Sequence, residues 1–142
     1  MTANITIASS KQKELIDITD RILKIVSDAR INEGLLIANA MHTTCALIIS
    51  EVEDNLEDDF TNYLTKEGPK GPFSHSHGDL TAHDLAHTQE SHTPAHLLSA
   101  IIGQSVTIPI AKGKVQLGTW QRICLLELDG PRQRKVLVQV KG

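Results

Sequence analysis

The chain has 142 residues, 40% hydrophobic and 22% charged, with a net charge of -3. Residues 1–142 are enough for one domain with a substantial core, and the acidic balance excludes a broad nucleic-acid-binding face. No apolar run approaches the roughly 18 residues of a membrane span, and the polar start MTANITIASSKQKELIDITD is unlike a secretory leader.

In chain order, NITIAS alternates Ile5 and Ile7 with polar neighbours, which predicts a half-buried strand. Ile18, Ile22, Ile25, Val26 and Ala29 then recur at helical spacing, with Asp17 or Thr19 as cap and Gly34 as the stop. LLIANA and TCALIIS, on either side of Met41 and His42, read as two strands or one kinked strand. EDNLEDDFTNYL predicts a second helix capped by Asp54, with Leu56, Phe60 and Leu64 on one side and GPKGP ending it. TPAHLLSAIIG predicts a third, with Thr93 as cap, Pro94 in the first position, and Leu97, Leu98, Ile101 and Ile102 as the buried stripe. The last third reads as an antiparallel meander: SVTIPI, a turn at Lys112–Gly113, VQLGTWQRICLLEL, a turn at Gly130–Pro131, and KVLVQV. The class is α+β, a largely antiparallel sheet or sandwich with a few covering helices. Cys45 and Cys124 lack a disulfide spacing, so reduced buried thiols and a cytoplasmic location are expected.

Six of the seven histidines lie between positions 75 and 96. Imidazole is a good ligand for a zinc-like divalent cation, and catalytic sites of that type take three protein ligands with one position open. His75 and His77 share one side of an extended chain, whereas His83 and His87, like His92 and His96, share one face of a helix. A solvated loop would show the same spacings. His96 falls in the first turn of the predicted third helix, where the macrodipole disfavours imidazolium and leaves the ring neutral and able to ligate. His42 stands between two apolar runs, a place that suits either a hydrogen-bonded core histidine or a ligand.

The segment SVTIPIAKGKVQLGTWQRI, with Gly118, Thr119, Trp120 and Gln121 at its centre, resembles the signature of the YjbQ family. His42, Thr43, Thr44 and Glu51 resemble its HTT block and the acidic residue that ends it, Asp54 and Asp59 its acidic positions, and PAHLLSAIIG its helix. Glu127 and Arg132 to Arg134 resemble its end. Members are named secondary thiamine-phosphate synthase enzymes in a family long catalogued as uncharacterised. The resemblance implies a compact α+β domain, a homotrimer, and a histidine-lined metal site. Carried over by position, that site is His42, His96 and His83, the last followed by Asp84, with His87 as competitor for the third place. His75 and His77 are then loop residues or the mouth of the pocket. Val52 stands where many members have Asn.

Among the remaining candidates, Thr43, Thr44 and Ser105 offer hydroxyls to a phosphate or water, although strand propensity explains threonines equally well. Trp120 fills the core or, with Gln121, flanks the pocket. Arg132 and Arg134 are phosphate-binding cations or members of a solvated strand. Three functions remain open. One is a metal-dependent transferase forming thiamine phosphate, as the resemblance implies. Another is a hydrolase using metal-bound water with Glu51 or Asp84 as general base. The third is a non-enzymatic protein holding a metal or a small phosphorylated ligand. CLLEL and KVLVQV are apolar on successive positions, which predicts a sheet face that needs covering by partner copies.

Overall fold

In the computed structural model, residues 1–75 and 89–142 are described, except for the side chains of 89–91. The element order is β1 (Thr2–Ala8), β2 (Glu14–Asp17), α1 (Thr19–Ala29), β3 (Gly34–Ala40), β4 (Cys45–Ser50) and α2 (Asp54–Glu67). It continues with α3 (Gln89–Ile102), β5 (Ser105–Ala111), β6 (Lys114–Val115), β7 (Arg122–Glu127) and β8 (Gln133–Lys141). The strands form a five-stranded sheet, ordered β1-β8-β3-β5-β6, and a three-stranded sheet, ordered β2-β7-β4. All pairings are antiparallel. The α+β class expected from the sequence is the class observed.

Two apolar clusters explain the layering. Ile5, Ile7, Leu36, Ala38, Ile108, Ile110, Val136, Val138 and Val140 cover the inner face of the large sheet. They meet Cys45, Leu47, Ile123 and Leu125 of the small sheet, and Ile18, Ile22 and Val26 at the start and along the inner face of α1. On the other face of the small sheet, Leu15, Ala46, Cys124 and Leu126 pack under Leu64 of α2 and Ala95 and Leu98 of α3. β7 is thus the middle of a three-layer stack, buried on both faces, which is why its sequence is apolar without alternation.

Several expectations are corrected. There is no terminal meander: β5 turns into β6, β7 leaves for the other sheet, and β8 returns between β1 and β3. β8 alternates, with Gln133, Lys135, Gln139 and Lys141 outward, so it does not present an apolar outer face. Glu53, not Asp54, caps α2, accepting the N–H groups of Asn55 and Leu56. α3 begins at Gln89, a turn earlier than expected. Thr93 is therefore inside the helix rather than capping it, and its buried hydroxyl has no hydrogen-bond partner among the described residues. α1 ends at Arg30 in the left-handed region, before Gly34 is reached. The short β2 gave too little sequence to show a period.

Both predicted turns require their glycine. Lys112 and Gly113 both have positive φ, 51° and 72°, as a two-residue hairpin between β5 and β6 demands. At Gly130 a Cβ would lie 2.2 Å from the Lys11 carbonyl oxygen, so only glycine lets the β7–β8 connection cross the segment before β2.

Candidate metal centre

The end of the stack where β3 and β7 finish and β4 and β8 begin carries most of the buried polar chemistry. Glu127 is the last residue of β7, on the side facing the large sheet, and is 0% exposed. Its carboxylate is matched by Arg134 of β8, 3% exposed, whose Nε donates to Oε2 at 2.8 Å and whose terminal nitrogen donates to Oε1. The same guanidinium donates to the carbonyl and hydroxyl oxygens of Thr44, at 3.1 and 2.9 Å. Ser9 donates its hydroxyl to Glu127 Oε2 at 2.8 Å and accepts the Arg132 N–H at 2.8 Å. Glu127 Oε1 also accepts the N–H groups of Leu128 and Asp129, at 3.0 and 2.9 Å. A buried ion pair of this kind is held by complete hydrogen bonding rather than by net Coulomb gain. The solvated-strand reading of Arg134 is therefore corrected.

This lattice places Asp129, also 0% exposed, under α3. Asp129 Oδ2 lies 2.8 Å from His92 Nδ1 and accepts from Arg132 Nη2 at 3.0 Å, while Arg132 Nε donates to the Asp129 carbonyl at 2.9 Å. His92 and His96, one helical turn apart, bring their Nε2 atoms to 3.0 Å with the rings edge to face. His75, on the chain following α2, stacks on His92 and meets His96 edge-on, with centroids 5.9 and 5.1 Å away. One ligand nitrogen from each of these three histidines lies within 4.8 Å of the others. Two nitrogens bound to one tetrahedral zinc at 2.0–2.1 Å stand about 3.3 Å apart, so the His92–His96 pair is near that spacing already. The 4.8 Å limit puts the exposed His75 at most about 1.5 Å beyond that spacing. The donor set suits a cation of the zinc class.

His42 is employed differently. β3 ends at Ala40, and the next pairing bonds run from Met41 N–H to the Lys135 carbonyl and from Lys135 N–H to His42 Nε2, at 3.0 and 2.8 Å. The ring replaces a main-chain acceptor at the strand's end, which requires it to be neutral with its proton on Nδ1. Burial pushes its pKa below the usual 6.5 and the Arg134 cation pushes in the same direction, outweighing Glu127. Of the expected ligands His42, His83 and His96, only His96 belongs to the three-histidine group among the described residues. His83, with Asp84, His77 and His87, lies outside the described residues. His75, expected at the mouth or in a loop, is one of the three. His96 is in the second turn of α3 rather than the first, so the macrodipole argument for its neutrality does not apply.

The other candidates divide between two ends of the molecule. Thr44, bonded to Arg134, belongs to the histidine end. So does Ser105, which pairs with Asn39 near the end of β3, and the exposed Thr43 adjoins it in sequence. Glu51 follows Ser50, which pairs with Arg122, whereas Cys45 at the other end of β4 pairs with Glu127. Six residues of strand place Glu51 about 20 Å from the histidine end of the same chain. Trp120 and Gln121 precede Arg122 and share that far end. Trp120 is 72% exposed, which overturns the core-filling reading, and the Gln121 side chain accepts the Gly118 N–H at 2.8 Å to close the turn beneath it. Sequence reasoning missed His92 and Asp129 as a pair. The signal for His92 was the four-residue spacing to His96, and Asp129 was hidden as a turn residue in DGPRQ.

Known proteins resemble this chain over nearly its whole length. The UPF0047 protein of Archaeoglobus fulgidus is 38% identical over 135 residues, covering 95% of this chain and 97% of the relative. A solved hypothetical protein of Aeropyrum pernix K1 superposes with a TM-score of 0.83 at 34% identity, covering 100% of this chain and 98% of the other. An uncharacterised conserved protein of the yjbq/upf0047 family from Clostridium acetobutylicum gives 0.83 at 30% identity, covering 98% and 99%. The family model described as UPF0047 protein YjbQ-like matches residues 3–142: the chain belongs to the YjbQ-like UPF0047 family.

Proposed function

We propose that the protein is a metal-dependent enzyme that holds a divalent cation, zinc in the first instance, on His75, His92 and His96. One observation carries this reading: one ring nitrogen from each of three imidazoles, on two separate chain segments, lies within 4.8 Å of the others. A solvated histidine loop would not need one of its rings braced by a buried aspartate. A cation so held supplies Lewis acidity toward a phosphoryl or carbonyl oxygen. The chain's own contribution is positional: α3 fixes two rings at one spacing, and the Glu127–Arg134 lattice fixes the end of β7 beneath them. Arg132 keeps 20% of its side chain exposed beside Asp129, which favours an anionic, phosphorylated small substrate. Thiamine phosphate formation, the activity implied by the family resemblance, is the reaction to test first.

Assembly as a homotrimer is part of the same proposal. Leu97, Ile101 and Trp120 remain exposed on the single chain, at 42%, 77% and 72%, the kind of side chains that partner copies bury. A threefold ring contact joins unlike surfaces. The far-end residues Glu51, Trp120 and Gln121 of one copy would then reach the histidine end of the next.

The test is an assay of purified protein, with and without chelator. It uses a pyrimidine methyl diphosphate with a thiazole phosphate, and separately phosphate esters. Chelator-sensitive coupling supports the transferase, and chelator-sensitive hydrolysis of the esters replaces it with a metal-dependent hydrolase. Turnover insensitive to chelator, or absent throughout with metal bound, refutes the metal-dependent enzyme.

A further inference from the structure

The Asp129 carboxylate lies under the histidine group and touches no face of the molecule open to solvent. It sits directly behind one ring. Its Oδ2 is 2.8 Å from His92 Nδ1, while the neighbouring Arg132 donates twice to the same residue, once to Oδ2 and once to its carbonyl. The Asp129 N–H is in turn held by Glu127. A carboxylate with a guanidinium on it stays ionised and can only accept hydrogen bonds. The proton between Asp129 and His92 therefore belongs to Nδ1. In a neutral imidazole the other nitrogen then carries a lone pair, and that nitrogen, Nε2, is the one facing His96 at 3.0 Å. Such a lone pair accepts from His96 when His96 carries its own proton on Nε2.

We infer that Asp129 is the positioning residue of the histidine centre, fixing the tautomer and the orientation of His92 so that its Nε2 lone pair is aimed between His96 and His75. The inference rests on the metal reading above for its consequence, but not for its geometry. Without Asp129 the His92 ring loses the acceptor that holds its Nδ1 proton, and a ligand lone pair is lost part of the time. Outer partners of ligand histidines commonly account for 10–100-fold in metal affinity. Arg132 acts one step further back, by holding the Asp129 carboxylate in the rotamer that reaches His92.

Two measurements on the full-length protein decide this. Ring-nitrogen NMR of histidine-labelled, metal-free wild type at pH 8.5 should show His92 protonated at Nδ1. In Asp129→Asn the same ring should become a tautomer mixture or switch to Nε2–H. Finding Nε2–H on His92 in the wild type overturns the inference, with no variant required. Zinc affinity, measured by competition with a chromophoric chelator, should fall 10–100-fold in Asp129→Asn. Val138→Ala, a core truncation in β8 away from the histidines, should lower the melting temperature while leaving zinc affinity within twofold. An Asp129→Asn affinity equal to wild type overturns the positioning role, as does an equal affinity loss in Val138→Ala, which would mark a merely structural effect. If wild type binds no zinc, the metal reading fails, and the NMR result still decides whether Asp129 sets the tautomer.

Discussion

Replacing Arg134 with Met tests whether the Glu127–Arg134 pair is the polar keystone of the sandwich. Glu127 is 0% exposed and its carboxylate takes two of its donors from this guanidinium. Met fills comparable volume, so the change isolates the charge rather than opening a large cavity. Ser9 and the N–H groups of Leu128 and Asp129 would still donate to Glu127, but no cation would balance it. Breaking one side of a buried pair costs about 3–5 kcal/mol. With an unfolding entropy of roughly 0.3 kcal/mol/K for a chain of this length, the melting temperature should drop by about 10–17 °C. The loss should be largely electrostatic: adding Glu127→Gln, which keeps an oxygen acceptor and removes the stranded charge, should recover at least ~1.5 kcal/mol. The assay is urea and thermal unfolding at one fixed protomer concentration, because assembly would otherwise shift the midpoint. A Met variant within 1 kcal/mol of wild type, or a double variant less stable than Arg134→Met alone, would refute the reasoning.

The thiols of Cys45 and Cys124, buried and pushed up to about 11 and about 12 by desolvation, should resist alkylation at pH 8 until the protein unfolds; rapid labelling of the native protein would show the core open there. The His42 pKa is depressed in the folded state, so the unfolded chain binds the extra proton first and stability should fall as pH drops below about 6.5. The slope stays below about 1.4 kcal/mol per pH unit, the limit for one proton, because the ring keeps partial solvent contact. His42→Asn should flatten melting temperature against pH between 7 and 5.5, and an unchanged curve would remove His42 from the acid response. Light scattering should give a mass near three times the 15.5 kDa chain, and a monodisperse monomer at micromolar concentration would sink the trimer and the cross-copy pocket together.

The fold was readable where periodicity reports burial on one face. β1 and β8 alternate, α1 shows its stripe of Ile22 and Val26, and the Lys112–Gly113 hairpin carries its own turn chemistry. It was not readable where burial is two-sided. The run ICLLEL gives no period because Ile123 and Leu125 face one core and Cys124 and Leu126 the other, so nothing in the sequence says that β7 changes sheet. The histidine site was half legible for a related reason. A four-residue spacing shows that His92 and His96 share a helix face, but their relation to His75 and Asp129 is set by tertiary packing across 37 residues of chain or less. His42 was ambiguous in the sequence because a strand-end hydrogen-bond acceptor and a metal ligand require the same neutral ring. Trp120, whose residue type favours a core, is carried outward by a turn that the Gly118 N–H and the Gln121 side chain close.

The central claim is that His75, His92 and His96 form a metal centre, and its most direct test is elemental mass spectrometry of protein prepared without an affinity tag or nickel resin. Wild type should carry about one equivalent of a zinc-class metal per chain. His92→Ala and His96→Ala should lose it while remaining folded, and His42→Ala should keep it. Wild type that emerges metal-free from gel filtration after zinc supplementation would contradict the account, as would loss of metal in His42→Ala with retention in His92→Ala.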